Sequence, residues 1–152
     1  MLNPKNKQMY NQTTNKMKKI AVYGSLRTDM YNHRLLERGG ANFVSKEILN
    51  VPYKMIPYSS FPALIPDTQS HDILMEIYEV DDDVYMAVET LEGYPRFYDK
   101  ATTTDNAGDI VEFYVIPDKS GQLAERYEDA ESIFDWNKFY KENINPHYYA
   151  TR

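Results

Sequence analysis

The segment Ile73–Val80 is apolar on both sides of an extended chain, with Ile73, Met75 and Ile77 facing one way and Leu74, Tyr78 and Val80 the other. Such a strand has to be covered on both faces, which puts it at the centre of a sheet or in the wall of a closed barrel. The clearest helix of the chain comes directly after it. Asp81-Asp82-Asp83 place capping oxygens and negative charge where a helix N-terminus has unsatisfied N–H groups. Val84, Ala87, Val88 and Leu91 then recur at i, i+3, i+4 and i+7 as a core-facing stripe, and Gly93 and Pro95 end the helix.

Strand patterns surround this unit. Ile20-Ala21-Val22-Tyr23 is a short apolar run stopped by Gly24-Ser25, a buried strand entering a tight turn. A short helix is expected from Asn32 to Glu37, closed by Gly39-Gly40. From Phe43 to Pro66 strands are interrupted by prolines at 52, 57, 62 and 66, which lack a ladder N–H and belong at edges, bends or loops. Further strands are expected over Phe97–Thr103 and Ile110–Ile116, joined by an Asn106-Ala107-Gly108 hairpin loop, with Val111, Phe113 and Val115 on one face. Residues 117–131 read as a polar loop, and a short helix around Asp135–Tyr140 carries Trp136, Phe139 and Tyr140. The fold class is α+β, a small mixed β-barrel with flanking helices.

One domain is expected over 18–145, preceded by a disordered lead at 1–17 and followed by a tail at 146–152. Met17, ahead of Lys18-Lys19, offers an alternative start. The chain has no cysteine, which removes disulfides and thiolate chemistry and suits a reducing cytosol, hence a cytoplasmic location. A net charge of −6 argues against a nucleic-acid surface, and no apolar run reaches the length of a membrane span. Three scattered histidines argue against a His-rich metal site, and the fourteen tyrosines fit half-buried strand positions.

Two segments carry chemistry. In Val22-Tyr23-Gly24-Ser25-Leu26-Arg27 a strand ends in Gly-Ser, which frees consecutive backbone N–H groups to form a small anion-binding concavity. By itself the segment is more simply an ordinary turn. In Glu89-Thr90-Leu91-Glu92-Gly93-Tyr94, Glu92 stands at the helix C-terminus, where the dipole disfavours a carboxylate. Partial burial under the Tyr94 and Tyr98 rings would raise its pKa further and fit it to take and return a proton near neutrality. A solvated glutamate at a helix end explains the same position.

Together the segments resemble the γ-glutamylcyclotransferase-like, or AIG2-like, superfamily. Tyr23-Gly24-Ser25-Leu26-Arg27 is similar to its turn after the first strand, and Asn32-His33-Arg34-Leu35-Leu36 to the stretch that often comes next in the family. Phe61-Pro62-Ala63-Leu64-Ile65-Pro66, Glu76-Ile77-Tyr78-Glu79-Val80 and Val88-Glu89-Thr90-Leu91-Glu92-Gly93-Tyr94-Pro95 resemble later family segments, in family order, and Tyr98-x-Lys100 the strand beyond. The likeness covers roughly residues 19–116 and departs from the family at Met75, Glu89 and Lys100.

The resemblance implies a mixed β-barrel in which Tyr23, Gly24, Ser25 and Leu26 bind a small-molecule γ-glutamyl substrate, with Tyr98 nearby. Glu92 would relay one proton while the α-amine attacks the γ-carbonyl, giving 5-oxoproline without cofactor or metal. A non-catalytic binding module of the same fold, or an interaction protein using its tyrosines and tails, remain alternatives. Arg27 and Arg96 are candidates to meet a substrate carboxylate, though surface arginines are far commoner than ligand-binding ones, and His33 fits a solvated helix position.

Overall fold

The computed structural model describes residues 17–147. The lead expected over 1–17 and the tail over 146–152 thus fall, apart from their innermost residues, outside the described residues. The elements in chain order are β1 (Lys18–Val22), α1 (Arg34–Arg38), β2 (Asn42–Pro57), β3 (Pro62–Val80), α2 (Asp82–Glu92), β4 (Asp99–Thr104), β5 (Ile110–Val115), α3 (Gln122–Arg126) and α4 (Trp136–Phe139). A π-helical turn, Tyr140–Ile144, continues from α4. Among the described residues no helix is long and apolar enough to cross a membrane.

One sheet runs in the order β2-β3-β1-β5-β4, antiparallel except for the β1–β5 pair, so it is mixed as expected and the class is α+β. It is not the closed barrel expected from the sequence. Among the described residues its outer strands β2 and β4 are not paired with each other, and the long β2–β3 hairpin is irregular. Its register jumps between Val51↔His71 and Tyr53↔Pro66, so Pro52 on one strand faces the extra residues 67–70 on the other. Proline cannot complete the ladder there, and the hairpin bends. Beyond the bend the near arm of β3 reaches β5 through the Ile116 N–H to Leu64 carbonyl bond of 2.9 Å. That contact curls the sheet, but no ladder among the described residues joins the edge strands β2 and β4.

The two apolar faces of Ile73–Val80 each carry a core. Ile73, Met75 and Ile77 pack with Ala21, Val111, Phe113, Val115 and the fully buried Trp136. Tyr78 and Val80 pack on the opposite face with Ile20, Val22, Leu36, Val84, Val88 and Tyr98. Met75, one of the departures from the family pattern, is thus a core residue. Helix α2 begins as expected, with the Asp81 carboxylate accepting from the Val84 N–H at 2.9 Å. It ends on Gly93, whose φ of 67° lies in the left-handed region that glycine adopts without strain. Within the stretch read as a polar loop, α3 forms because the Asp118 carboxylate accepts from the N–H groups of Leu123 and Ala124, at 3.0 and 2.9 Å.

Candidate active site

Strand β1 delivers the chain into a turn that is fixed from three sides. Within it, the Arg27 N–H donates to the Gly24 carbonyl at 3.0 Å and the Asn32 N–H to the Ser25 carbonyl at 2.9 Å. The Asn32 side chain also donates to Ser25 Oγ at 2.9 Å. Pro62, the first residue of β3, presses on Gly24 so closely that a Cβ there would stand 2.8 Å from Pro62 Cγ. Only glycine allows this approach. The Tyr98 hydroxyl in turn donates to the Pro62 carbonyl at 2.6 Å, and the Tyr23 hydroxyl to the Tyr114 carbonyl at 2.6 Å. Among the described residues no backbone carbonyl accepts from the N–H groups of Ser25 and Leu26.

Beneath the turn lies a buried ion pair. Arg27, 3% exposed, donates through Nε to Glu76 at 3.0 Å and through a terminal nitrogen to Asp135 at 2.8 Å. The other Glu76 oxygen accepts from the Thr28 N–H at 2.9 Å, the Thr28 hydroxyl at 3.0 Å and the Tyr78 hydroxyl at 2.9 Å. Burial pushes the Glu76 carboxyl up, but the Thr28 N–H and the Arg27 guanidinium outweigh it and hold the group below the usual carboxylate range. Arg27 is therefore turned away from the cavity and committed to the scaffold, which removes it as a candidate for a substrate carboxylate. His33 is not a solvated helix residue: its Nδ1 lies 2.9 Å from the Leu26 carbonyl.

A cavity of about 260 Å³ opens above the turn. Tyr23, Gly24, Ser25, Leu26, Glu92 and Tyr98, separated by up to 75 positions, all line it. Glu92 is the last residue of α2, and the helix stop aims it: Gly93 N–H donates to the Thr90 carbonyl at 3.1 Å and Tyr94 N–H to the Glu89 carbonyl at 3.0 Å. Removal from water, with no offsetting cation, pushes the Glu92 carboxyl up to about 7. The phenols around it also titrate high. Burial, then the Glu92 charge, pushes Tyr98 up, and burial is the first cause for Tyr23 and Tyr114 as well. A half-buried carboxyl that titrates near neutrality thus faces a turn with unused N–H donors, surrounded by neutral phenols. That combination can bind an anionic head group and move a proton beside it.

Other lining residues escaped the sequence reading. Tyr114 lies on the strand face opposite Val111, Phe113 and Val115, so period-2 alternation could have assigned it to the second face. Leu91, assigned to the core stripe, is instead 41% exposed and lines the cavity. Phe61 and Phe97 line the cavity too. Arg96 does not line it, and neither does Tyr94, expected over Glu92, whose ring lies edge-on to Tyr114 with ring centres 6.3 Å apart.

The remaining family departures satisfy each other. Lys100 donates to Glu89 at 2.6 Å and lies 4.1 Å from the centre of the Tyr94 ring. Among the described residues no group of three or more His, Asp or Glu is placed to hold a metal ion.

Comparison with known proteins places these features in context. A family model described as gamma-glutamyl cyclotransferase, AIG2-like, matches residues 20–138. A protein of Methanocaldococcus jannaschii that carries gamma-glutamylcyclotransferase as a provisional name is 29% identical over 113 residues, which is 72% of this chain and 92% of that protein. Among solved structures, an uncharacterised protein of Pyrococcus horikoshii aligns at 22% identity over 74% of this chain and 94% of its own, with a TM-score of 0.56. An AIG2-like protein of Mus musculus aligns at 24% identity over 66% of this chain and 76% of its own, with a TM-score of 0.55. At these identities the structural likeness speaks for the fold.

Proposed function

The chain belongs to the gamma-glutamyl cyclotransferase, AIG2-like family, and from that premise we propose that it cleaves a γ-glutamyl amine or γ-glutamyl amino acid by cyclising the glutamyl part to 5-oxoproline. The observation that carries this reading is Glu92, a carboxyl that burial holds at about 7, facing the Tyr23–Leu26 turn across one cavity. In this reading the N–H groups of Ser25 and Leu26 receive the substrate α-carboxylate. The α-amine then lies toward Glu92.

As a carboxylate, Glu92 accepts one proton from the neutral α-amine as its nitrogen bonds to the γ-carbonyl carbon. The bond from that carbon to the leaving nitrogen breaks, and Glu92 returns the same proton to the departing amine. One hydrogen of the amine stays on the lactam and the other leaves with the product amine, so the carboxyl is regenerated. The attack is intramolecular, and the rigid floor of the turn supports it by holding the glutamyl chain folded into a reactive conformer. A pKa near the working pH lets one group serve both transfers. The rings of Tyr23 and Tyr98 act as walls, their hydroxyls being committed to backbone carbonyls.

The test incubates wild type and Glu92→Gln with several γ-glutamyl amines and measures 5-oxoproline. Release by wild type alone supports the assignment. Equal release by both proteins, or by neither, refutes it, and ligand-induced thermal stabilisation of two inactive proteins would favour a binding module.

A further inference from the structure

Among the described residues Glu92 is the one charged side chain that lines the cavity; no Lys or Arg does. Of the cations near the site, Arg27 is engaged with Glu76 and Asp135 and Lys100 with Glu89, while the exposed Arg96, next to Phe97 in sequence, does not line the cavity. The mouth, by contrast, is apolar. Tyr31, Leu91 and Phe97 are each 41% exposed there. Phe97 also meets the rings of Tyr58 and Phe61 edge-on, at 5.8 and 6.0 Å between centres, so its position is fixed by its neighbours. Large apolar side chains left in water around a cavity mouth offer contact area to an apolar ligand group.

Resting on the reading above, with the glutamyl head seated in the turn, we propose that the leaving group is an apolar monoamine, aromatic or branched aliphatic, that carries no carboxylate of its own. The head fills the turn end of the cavity, so the substituent on the leaving nitrogen projects between Leu91, Phe97 and Phe61. An amine with a ring or branched chain covers those residues and removes apolar surface from water. An α-amino acid or peptide leaving group would instead bring a further carboxylate toward Glu92 and the substrate α-carboxylate, in a cavity whose described lining has no cation to receive it. Like charges with no cation in the described lining between them oppose one another, and they would also oppose the ionised Glu92 that the first proton transfer needs.

Three substrates with the same head decide the matter: γ-glutamyl-phenethylamine, γ-glutamyl-phenylalanine, which adds only the carboxylate, and γ-glutamyl-methylamine, which lacks the ring. kcat/KM is read from 5-oxoproline release. The phenethylamide is expected to exceed each of the others by about tenfold or more, the scale at which pocket contacts of this kind discriminate. Phe97→Ala, and independently Leu91→Ala, should lower the phenethylamide-to-methylamide ratio at least about fivefold. Equal or better turnover of γ-glutamyl-phenylalanine overturns this inference and leaves the cyclisation standing, as does a methylamide as good as the phenethylamide. Release from none of the three overturns both. The wild-type series decides without a variant, so a poorly folding Phe97→Ala protein does not obstruct the test.

Discussion

Replacing Glu92 by Gln should stabilise the protein at pH 8 while abolishing turnover, and the gain should vanish in acid. A carboxyl with an ordinary value of 4.5 is held at about 7 by burial. Between those two values the folded state binds more protons than the unfolded chain, so stability falls as pH rises through this window. Above it, the wild type carries the full cost of an ionised, poorly solvated carboxylate. At about 1.4 kcal/mol for each pH unit, that cost is about 3 kcal/mol, or about 2 once allowance is made for the cavity side of the group that still meets water. Glutamine keeps the shape and cannot ionise. For a domain of this size the difference corresponds to roughly 5–10 °C in Tm. Calorimetry of both proteins from pH 4.5 to 8 provides the assay, because every other titrating group cancels in the difference. Two Tm profiles that run parallel over this range would refute the reasoning, since they would mean that Glu92 titrates as an ordinary solvated glutamate.

The same geometry sets three further outcomes. The kcat/KM of wild type should fall about tenfold per pH unit below about pH 7, because protonated Glu92 cannot accept the α-amine proton; a profile flat from pH 8 to 5.5 would exclude Glu92 as the base. Glu76→Ala leaves Arg27 buried with only the partly exposed Asp135, and should cost about 3–5 kcal/mol in denaturant unfolding. Glu76→Gln, which keeps part of the hydrogen bonding, should cost less. Gly24→Ala drives a Cβ to 2.8 Å from Pro62 Cγ; about 1–3 kcal/mol of stability should be lost, with a larger loss of turnover than Gly40→Ala, which is strained by its φ of 74° but lies outside the cavity lining.

The features legible in the sequence are those written in neighbouring residues. Helix α2 can be bounded at both ends because its cap, stripe and glycine stop fall within thirteen consecutive positions, Asp81–Gly93. The two faces of Ile73–Val80 are readable for the same reason, and the turn and Glu92 stand out through local chemistry. Features that depend on distant parts of the chain are not readable. Arg27 reads as a free cation because its partners lie 49 and 108 positions away. That the sheet stays open instead of closing as a barrel depends on β2 and β4, distant in sequence, not pairing among the described residues. Leu91 obeys the helical period, yet it is exposed and lines the cavity instead of packing in the core.

The reach of Arg27 to Asp135 has a consequence for assembly of the molecule. The turn under the cavity forms locally between Tyr23 and Asn32, but one of its anchors is the residue that also caps α4, 108 positions beyond Arg27. A chain emerging from synthesis can pair β1 with β3, and even seat Arg27 on Glu76, well before Asp135 exists. The turn acquires its last restraint only when the C-terminal segment docks and Trp136 enters the core. Loop closure over such a span comes late and is entropically costly. The cavity floor is thus among the last parts to become rigid, and a chain shortened before residue 135 would retain the sheet pairings while holding the turn less tightly.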